Sequence, residues 1–205
     1  MSERSPAWLV PRGDPWVRGE ARQIYENPWI RVTEYAATAP TGASATYGLV
    51  GFKNLAIAVL PLFDDGSTVL VGQHRFPAGD YSWEIPEGGG ALDQDPLESA
   101  RRELAEETGL QAARWQEVLR AQLSNSVTDE RAIGYIATGL SAAPPEHAPD
   151  ETEDLAMVRV PFREALDAAA AGHLQDVLTV AMLLKAYHMA REGLLAPALA
   201  RAMLG

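Results

Sequence analysis

The residues best equipped for chemistry are three glutamates, Glu103, Glu106 and Glu107, in the run Arg102-Glu103-Leu104-Ala105-Glu106-Glu107-Thr108-Gly109-Leu110. Their spacing is i, i+3 and i+4, which on an α-helix makes them neighbours on one face. Three like charges so placed destabilise a helix unless a cation or an arginine sits among them. The chemistry this pattern suits is the binding of a metal ion. The chain has no cysteine, and its four histidines (His74, His147, His173 and His188) form no ligand-spaced cluster. Carboxylates alone favour a hard cation, Mg²⁺ first with Mn²⁺ as its substitute. An ion of this kind bridges to phosphate oxygens and lowers the pKa of an attacking water.

A helix must present these carboxylates, and its ends are legible. Asp95 can cap it, Pro96 fits the first turn, and Gly109 suits the left-handed position after the last turn. Leu97, Ala100, Arg101 and Leu104 follow helical spacing, which gives the helix a core side opposite its acidic side. Upstream, Gly88-Gly89-Gly90 reads as a flexible loop leading into it. Strands are expected at 44–51, 55–63, 68–75, 81–86, 114–123, 131–140 and 154–160, with two short ones in 22–36 broken at Asn27-Pro28. The continuous apolar run 55–63, LAIAVLPLF, has the character of a central strand buried on both faces. Asp64-Asp65-Gly66 is a hairpin turn signal. Helices are expected over 162–171 and 175–192, with a helical tail after them, and residues 1–19 read as an irregular arm. Strands of a mixed sheet with helices on its faces make an α/β sandwich.

Composition narrows the classes. A length of 205 residues suits one domain with a sizeable core. A net charge of −11 argues against a general nucleic-acid binder, whose surface is normally basic. It leaves room for a small phosphorylated substrate, because a bound cation turns an acidic cluster into a phosphate receptor. No run reaches the roughly 18 apolar residues of a membrane span. The N-terminus lacks a basic region followed by an apolar stretch, so no secretory signal is expected, and the absence of cysteine fits a reducing, cytoplasmic setting.

The acidic run and the residues before it match a longer signature. Gly88 opens it, Arg102-Glu103-Leu104 and Glu106-Glu107 fill its centre, and Gly109-Leu110 close it. This resembles the Nudix box, in which a Gly, five residues, a Glu and seven more precede Arg-Glu-aliphatic-any-Glu-Glu-any-Gly-aliphatic. One position departs: the first Glu of the box is Gln94 here. The resemblance implies a Nudix-type α/β/α sandwich with a mixed sheet. It makes Glu103 and Glu107 the main metal ligands, with Glu106 between them in direct contact or one step removed. The backbone carbonyl of Glu87 would be a further ligand. Arg102 belongs to the catalytic run, where orienting these carboxylates is the favoured role.

Gln73-His74-Arg75 and Trp83-Glu84-Ile85-Pro86-Glu87-Gly88 are similar to the ADP-ribose and nucleotide-sugar pyrophosphatase branch of that family. The likeness covers roughly residues 22–190. It implies that Arg75 contacts the diphosphate and that Glu84 helps hold substrate; the alternative is that the two pair with each other. It implies a catalytic base and one more metal ligand from the acidic loop 150–155. Glu151 as base and Glu153 as ligand is one assignment, and the reverse is the other. Trp29 is the aromatic candidate for stacking on a nucleobase or, alternatively, a core residue. In that branch N-terminal strands commonly reach a partner subunit, which implies a homodimer with residues 1–42 as the arm and strands and 43–205 as the hydrolase domain. The expected substrate is a nucleoside diphosphate sugar, ADP-ribose leading, with GDP-mannose, ADP-glucose, a dinucleotide or a sensor without catalysis as alternatives. Two departures stand out. The loop 124–130 lacks the Pro of the ADP-ribose subgroup, and Glu87 occupies a position where that subgroup usually has Ala. If only its carbonyl binds metal, the Glu87 side chain should matter little.

Overall fold

The computed structural model describes residues 6–144 and 154–205. They fall into two compact units, Met1–Lys53 with Ser124–Asp129, and Asn54–Leu123 with Glu130–Gly205.

The first unit is a three-stranded antiparallel sheet in the order β1 (Val17–Glu26), β2 (Ile30–Thr38), β3 (Ser44–Phe52). The Asn27-Pro28 turn divides β1 from β2. Its chemistry is an Asx turn, with Asn27 Oδ1 accepting from the amides of Trp29 and Ile30 at 2.9 and 2.8 Å. Residues 124–129 return to this sheet, where Asp129 Oδ1 accepts from the Phe52 amide and the Val127 carbonyl accepts from Val50. β1 begins at Val17, inside the stretch expected to be irregular, and is exposed along its whole length.

The second unit carries a seven-stranded mixed sheet. Its path is β10 (Ala156–Pro161), β5 (Ser67–Arg75), β4 (Asn54–Leu62), β9 (Arg131–Ala142), β8 (Leu110–Gln122). β6 (Asp80–Glu84) pairs with β5, and β7 (Glu87–Ala91) with β4. β4 and β9 are parallel; the other pairings are antiparallel. Strand alternation then sorts the apolar run of β4 between two cores. Ile57 and Val59 pack with Ala100 and Leu104 of helix α1 (Pro96–Thr108) and with Ile133 and Tyr135 of β9. Ala58, Leu60 and Leu62 face the other way, onto α2 (Phe162–Ala170), α3 (Val177–Arg191) and α4 (Pro197–Leu204). The result is helix, sheet, helix, the α/β sandwich expected from the pattern. Among the described residues no helix is long and apolar enough to cross a membrane.

Two differences from the sequence reading concern the site. Gly88-Gly89-Gly90 is not a loop but part of β7, in register from Asn54↔Ala91 to Ala58↔Glu87. Local glycine preference gives way because neighbours occupy the space that side chains would fill: the Glu103 carboxylate over Gly88, Asn54 over Gly89, and Ile57 over Gly90. Helix α3 starts at Val177, and Asp176 is its cap. Asp176 Oδ2 accepts from the Thr179 amide at 2.6 Å.

The β4–β5 turn places Gly66 at φ +80°, where a Cβ would collide with the Ala202 backbone of α4. Gly79 has φ +72° with open space around it. Gly79→Ala should therefore cost only the left-handed strain of about 1–2 kcal/mol, and Gly66→Ala about 1–3 kcal/mol more. Chemical denaturation of the two variants measures the difference; equal losses would mean that α4 does not pack over the turn.

Candidate active site

Helix α1 forms as its ends dictate. Asp95 accepts from the Leu97 amide, Pro96 opens the first turn, and Gly109 closes the helix at φ +65°. Leu104 is fully buried against the sheet, so the face one step around carries Glu103 and Glu107 inward, each only 7% exposed. Glu106 is partly exposed beside them.

Two contacts fasten this face to β7. Glu107 Oε2 accepts from the Glu87 amide at 3.0 Å. The Glu103 carboxylate lies over Gly88, in the space any Cβ there would take. Arg102 completes the arrangement: Nη1 donates to Glu106 at 2.6 Å, and Nη2 donates to Glu103 at 2.5 Å and to the Gly89 carbonyl at 2.9 Å. The arginine among the like charges is thus supplied by the residue next in sequence, and it ties both carboxylates to the strand. Burial works against the Arg102 charge, yet Glu103 and Glu106 hold its pKa above the ordinary value.

A second acidic cluster adjoins residue 87 through side chains. Arg75, at the end of β5, donates through Nε to both Glu84 oxygens at 3.1 and 3.0 Å and through Nη2 to Glu84 as well. The same Nη2 reaches Glu87 Oε1 at 2.8 Å. Asp176 completes a trio whose ligand oxygens lie within 4.8 Å of one another: Glu84, Glu87, Asp176. The amide of Ile85 donates to Thr179 Oγ1 at 3.0 Å, which docks the β6–β7 connection on the start of α3 and brings Asp176 into place.

Electrostatics splits the cluster. Burial opposes ionisation of Glu84, but hydrogen bonds from Arg75 and Ser82 keep its carboxyl below the usual range. Burial, then the charges of Asp176 and Glu84, push Glu87 well above it. The hydrogen bond to Glu84 holds Arg75 firmly protonated.

The expected site residues are therefore distributed as follows. Glu103, Glu106, Glu107, Arg102, Arg75, Glu84 and Glu87 all belong to the second unit, around β7. Arg75 and Glu84 do pair with each other. The Glu87 side chain, expected to matter little, is held by Arg75. Trp29 belongs to the first unit and is 66% exposed, so it is not a core residue. Glu151 and Glu153 lie outside the described residues. Asp176 was not foreseen. An Asp before the apolar run Val177-Leu178 is a helix-start signal, but its approach to Glu84 and Glu87 depends on the docking of α3.

The chain is similar to several known proteins. The NUDIX domain family model matches residues 53–179. An ADP-ribose pyrophosphatase of Mycobacterium tuberculosis (strain ATCC 25618 / H37Rv) is 33% identical over 145 residues, 69% of each chain. An ADP-ribose pyrophosphatase of Bacillus subtilis (strain 168) is 30% identical over 157 residues, 77% of this chain and 84% of that one. A solved structure described as an ADP compounds hydrolase superposes with a TM-score of 0.79 at 17% identity, over 90% of this chain and 98% of that chain, a likeness of fold.

The raised Glu87 carboxyl has a consequence for stability. A carboxyl whose folded pKa lies above its unfolded one binds protons more tightly when folded, so its contribution falls as pH rises from the unfolded value toward the folded one. In EDTA, the melting temperature of Glu87→Gln relative to the wild type should climb as pH rises from about 4.5 upward. A difference independent of pH would remove the effect assigned to Asp176 and Glu84.

Proposed function

The chain belongs to the NUDIX domain family, and on that premise we propose that it hydrolyses the diphosphate of a nucleoside diphosphate sugar, ADP-ribose first among them. It is a Nudix pyrophosphatase. The products are a nucleoside monophosphate and a sugar phosphate. The observation that carries the reading is the gathering of two buried carboxylates, Glu103 and Glu107, onto the backbone of Glu87 and Gly88.

The donors fit a hard divalent cation, since all are oxygens and the Glu103 carboxylate fills a cradle that only a glycine leaves open. Glu103, Glu107 and the Glu87 carbonyl would hold Mg²⁺ or Mn²⁺, with Glu106 alongside. When bound, the ion polarises the phosphoryl oxygens, acidifies water and offsets charge on the leaving group. Arg102 fixes the direction of Glu103 and Glu106, so that they need not reorganise when charge develops. Arg75, partly exposed beyond its pairing with Glu84, offers its remaining donors to the diphosphate. From the acidic segment 150–155, Glu151 acts as base and Glu153 as a ligand, or the reverse.

Trp29 stacks on the nucleobase bound by a partner subunit, in a homodimer built through the N-terminal strands. Residues 1–42 form that element and residues 43–205 the hydrolase domain. A cytoplasmic location belongs to the same reading. GDP-mannose, ADP-glucose and dinucleotides remain alternatives because the loop 124–130 contains no Pro. A sensor without catalysis is disfavoured by the intact set Glu103, Glu106 and Glu107.

The test is a hydrolysis panel of ADP-ribose, ADP-glucose, GDP-mannose, UDP-glucose, a diadenosine polyphosphate and a nucleoside triphosphate, each with Mg²⁺ and with EDTA. ADP-ribose should be cleaved fastest, with EDTA abolishing turnover. Faster cleavage of another nucleotide sugar would replace the substrate and keep the class. Cleavage of none, or cleavage that persists in EDTA, would overturn the reading.

A further inference from the structure

Arg75 stands beyond Val71, the register partner of Glu84, so the two side chains reach toward each other along the sheet. An arginine side chain gives up much rotamer freedom when it is held. Its guanidinium has five N–H groups. Nε donates to both Glu84 oxygens, and Nη2 divides its two N–H groups between Glu84 and Glu87 Oε1. Glu84 alone grips one edge of the fork, about which the guanidinium can still tilt. Glu87 adds a second anchor from the next strand. Its own backbone is fixed, paired with Ala58 of β4 and bonded through its amide to Glu107. The Glu87 carboxyl also hydrogen-bonds to that of Glu84, which joins the two anchors to each other. Among the described residues, the two N–H groups of Nη1 carry no hydrogen bond. Arg75 and Glu87 border a cavity of about 240 Å³ together with Gly88 and Gly89. Those are the glycines on which Glu103 and Arg102 of α1 are seated.

We propose, on the reading that Arg75 contacts the diphosphate, that the Glu87 side chain is a positioning residue for substrate binding: by anchoring Nη2 of Arg75 it aims the Nη1 donors at a phosphoryl oxygen. Residue 87 then serves the site twice, with its backbone toward α1 and its side chain toward Arg75. The side-chain role is geometric, since what holds Nη2 is acceptance by Oε1. An amide oxygen accepts as well as a carboxyl oxygen does. Glu87→Gln keeps that acceptor and offers an N–H to Glu84, whereas Glu87→Ala removes both. A donor held in place before substrate arrives loses little freedom on binding it. A contact made to the substrate and kept in the transition state shows in KM more than in kcat.

The test is a double-mutant cycle in kcat and KM on the full chain at saturating Mg²⁺, with the nucleotide sugar that is cleaved fastest. Glu87→Ala should raise KM by about fivefold or more, with a smaller change in kcat. Glu87→Met, which fills the same space without an oxygen acceptor, should do the same, and serves if Glu87→Ala does not fold. Glu87→Gln should bring KM back to within about twofold of the wild type. Arg75→Ala should raise KM at least as far as Glu87→Ala does. Adding Glu87→Ala to it should then raise KM by less than about twofold more, because the anchor has nothing left to hold. A wild-type KM in Glu87→Ala or Glu87→Met, where Arg75→Ala raises it, would overturn the proposal and leave the substrate reading intact. So would additive effects of the two substitutions, or a Glu87→Gln as impaired as Glu87→Ala. A wild-type KM in Arg75→Ala, or a wild type that cleaves no nucleotide sugar, would overturn the Arg75 contact and this proposal together.

Discussion

Everything at the site depends on the packing of one helix face against the glycine run of a strand. Glu103 can lie over β7 only because Gly88 has no Cβ, and Glu107 can reach the backbone only because α1 approaches that closely. The helix is pressed there by Ala100 and Leu104, both fully buried against Ile57 and Val59 of β4. The same β4 pairs with β7. One strand thus carries the apolar surface that seats the helix and, through its partner, the backbone that receives the carboxylates. Apolar burial supplies the driving force, at roughly 25 cal/mol per Å². The acidic face is carried along with it.

That arrangement explains how so much like charge is tolerated. Two arginines divide the work. Arg102 neutralises the α1 glutamates along the helix and anchors them to the Gly89 carbonyl. Arg75 does so for Glu84 and, in part, Glu87. The cover is uneven: Glu84 is held ionised, while Glu87 is pushed toward its neutral form. Residue 87 is the junction of the two acidic groups, through its amide on one side and its carboxylate on the other.

The legibility of the chain in its sequence follows the range of the interactions involved. Local signals sufficed for α1: Asp95, Pro96 and Gly109 mark its ends, and the spacing of Leu97, Ala100 and Leu104 marks its buried face. The unbroken apolar run of β4 announced a strand covered on both sides, which is where the two cores meet. The triple glycine misled, because as a local sequence it signals a turn and only the neighbours over it make it a strand. Asp176 was invisible for a related reason. Its sequence context reports a helix cap, and its convergence with Glu84 and Glu87 depends on Thr179 docking α3 against Ile85 across 94 residues. Arg75 was legible as a candidate, but its engagement with Glu87 in addition to Glu84 was not.

We propose that the carboxylates of α1, seated on β7, hold the metal of this pyrophosphatase. The most direct measurement is the kcat for ADP-ribose of Glu107→Gln at saturating Mg²⁺, on protein whose melting curve shows it to be folded. Losing one charged ligand removes several kcal/mol of electrostatic stabilisation at the reacting phosphoryl group, so kcat should fall by about a hundredfold or more. A folded Glu107→Gln that turns over within about threefold of the wild type would contradict the account, since that residual change amounts to well under 1 kcal/mol.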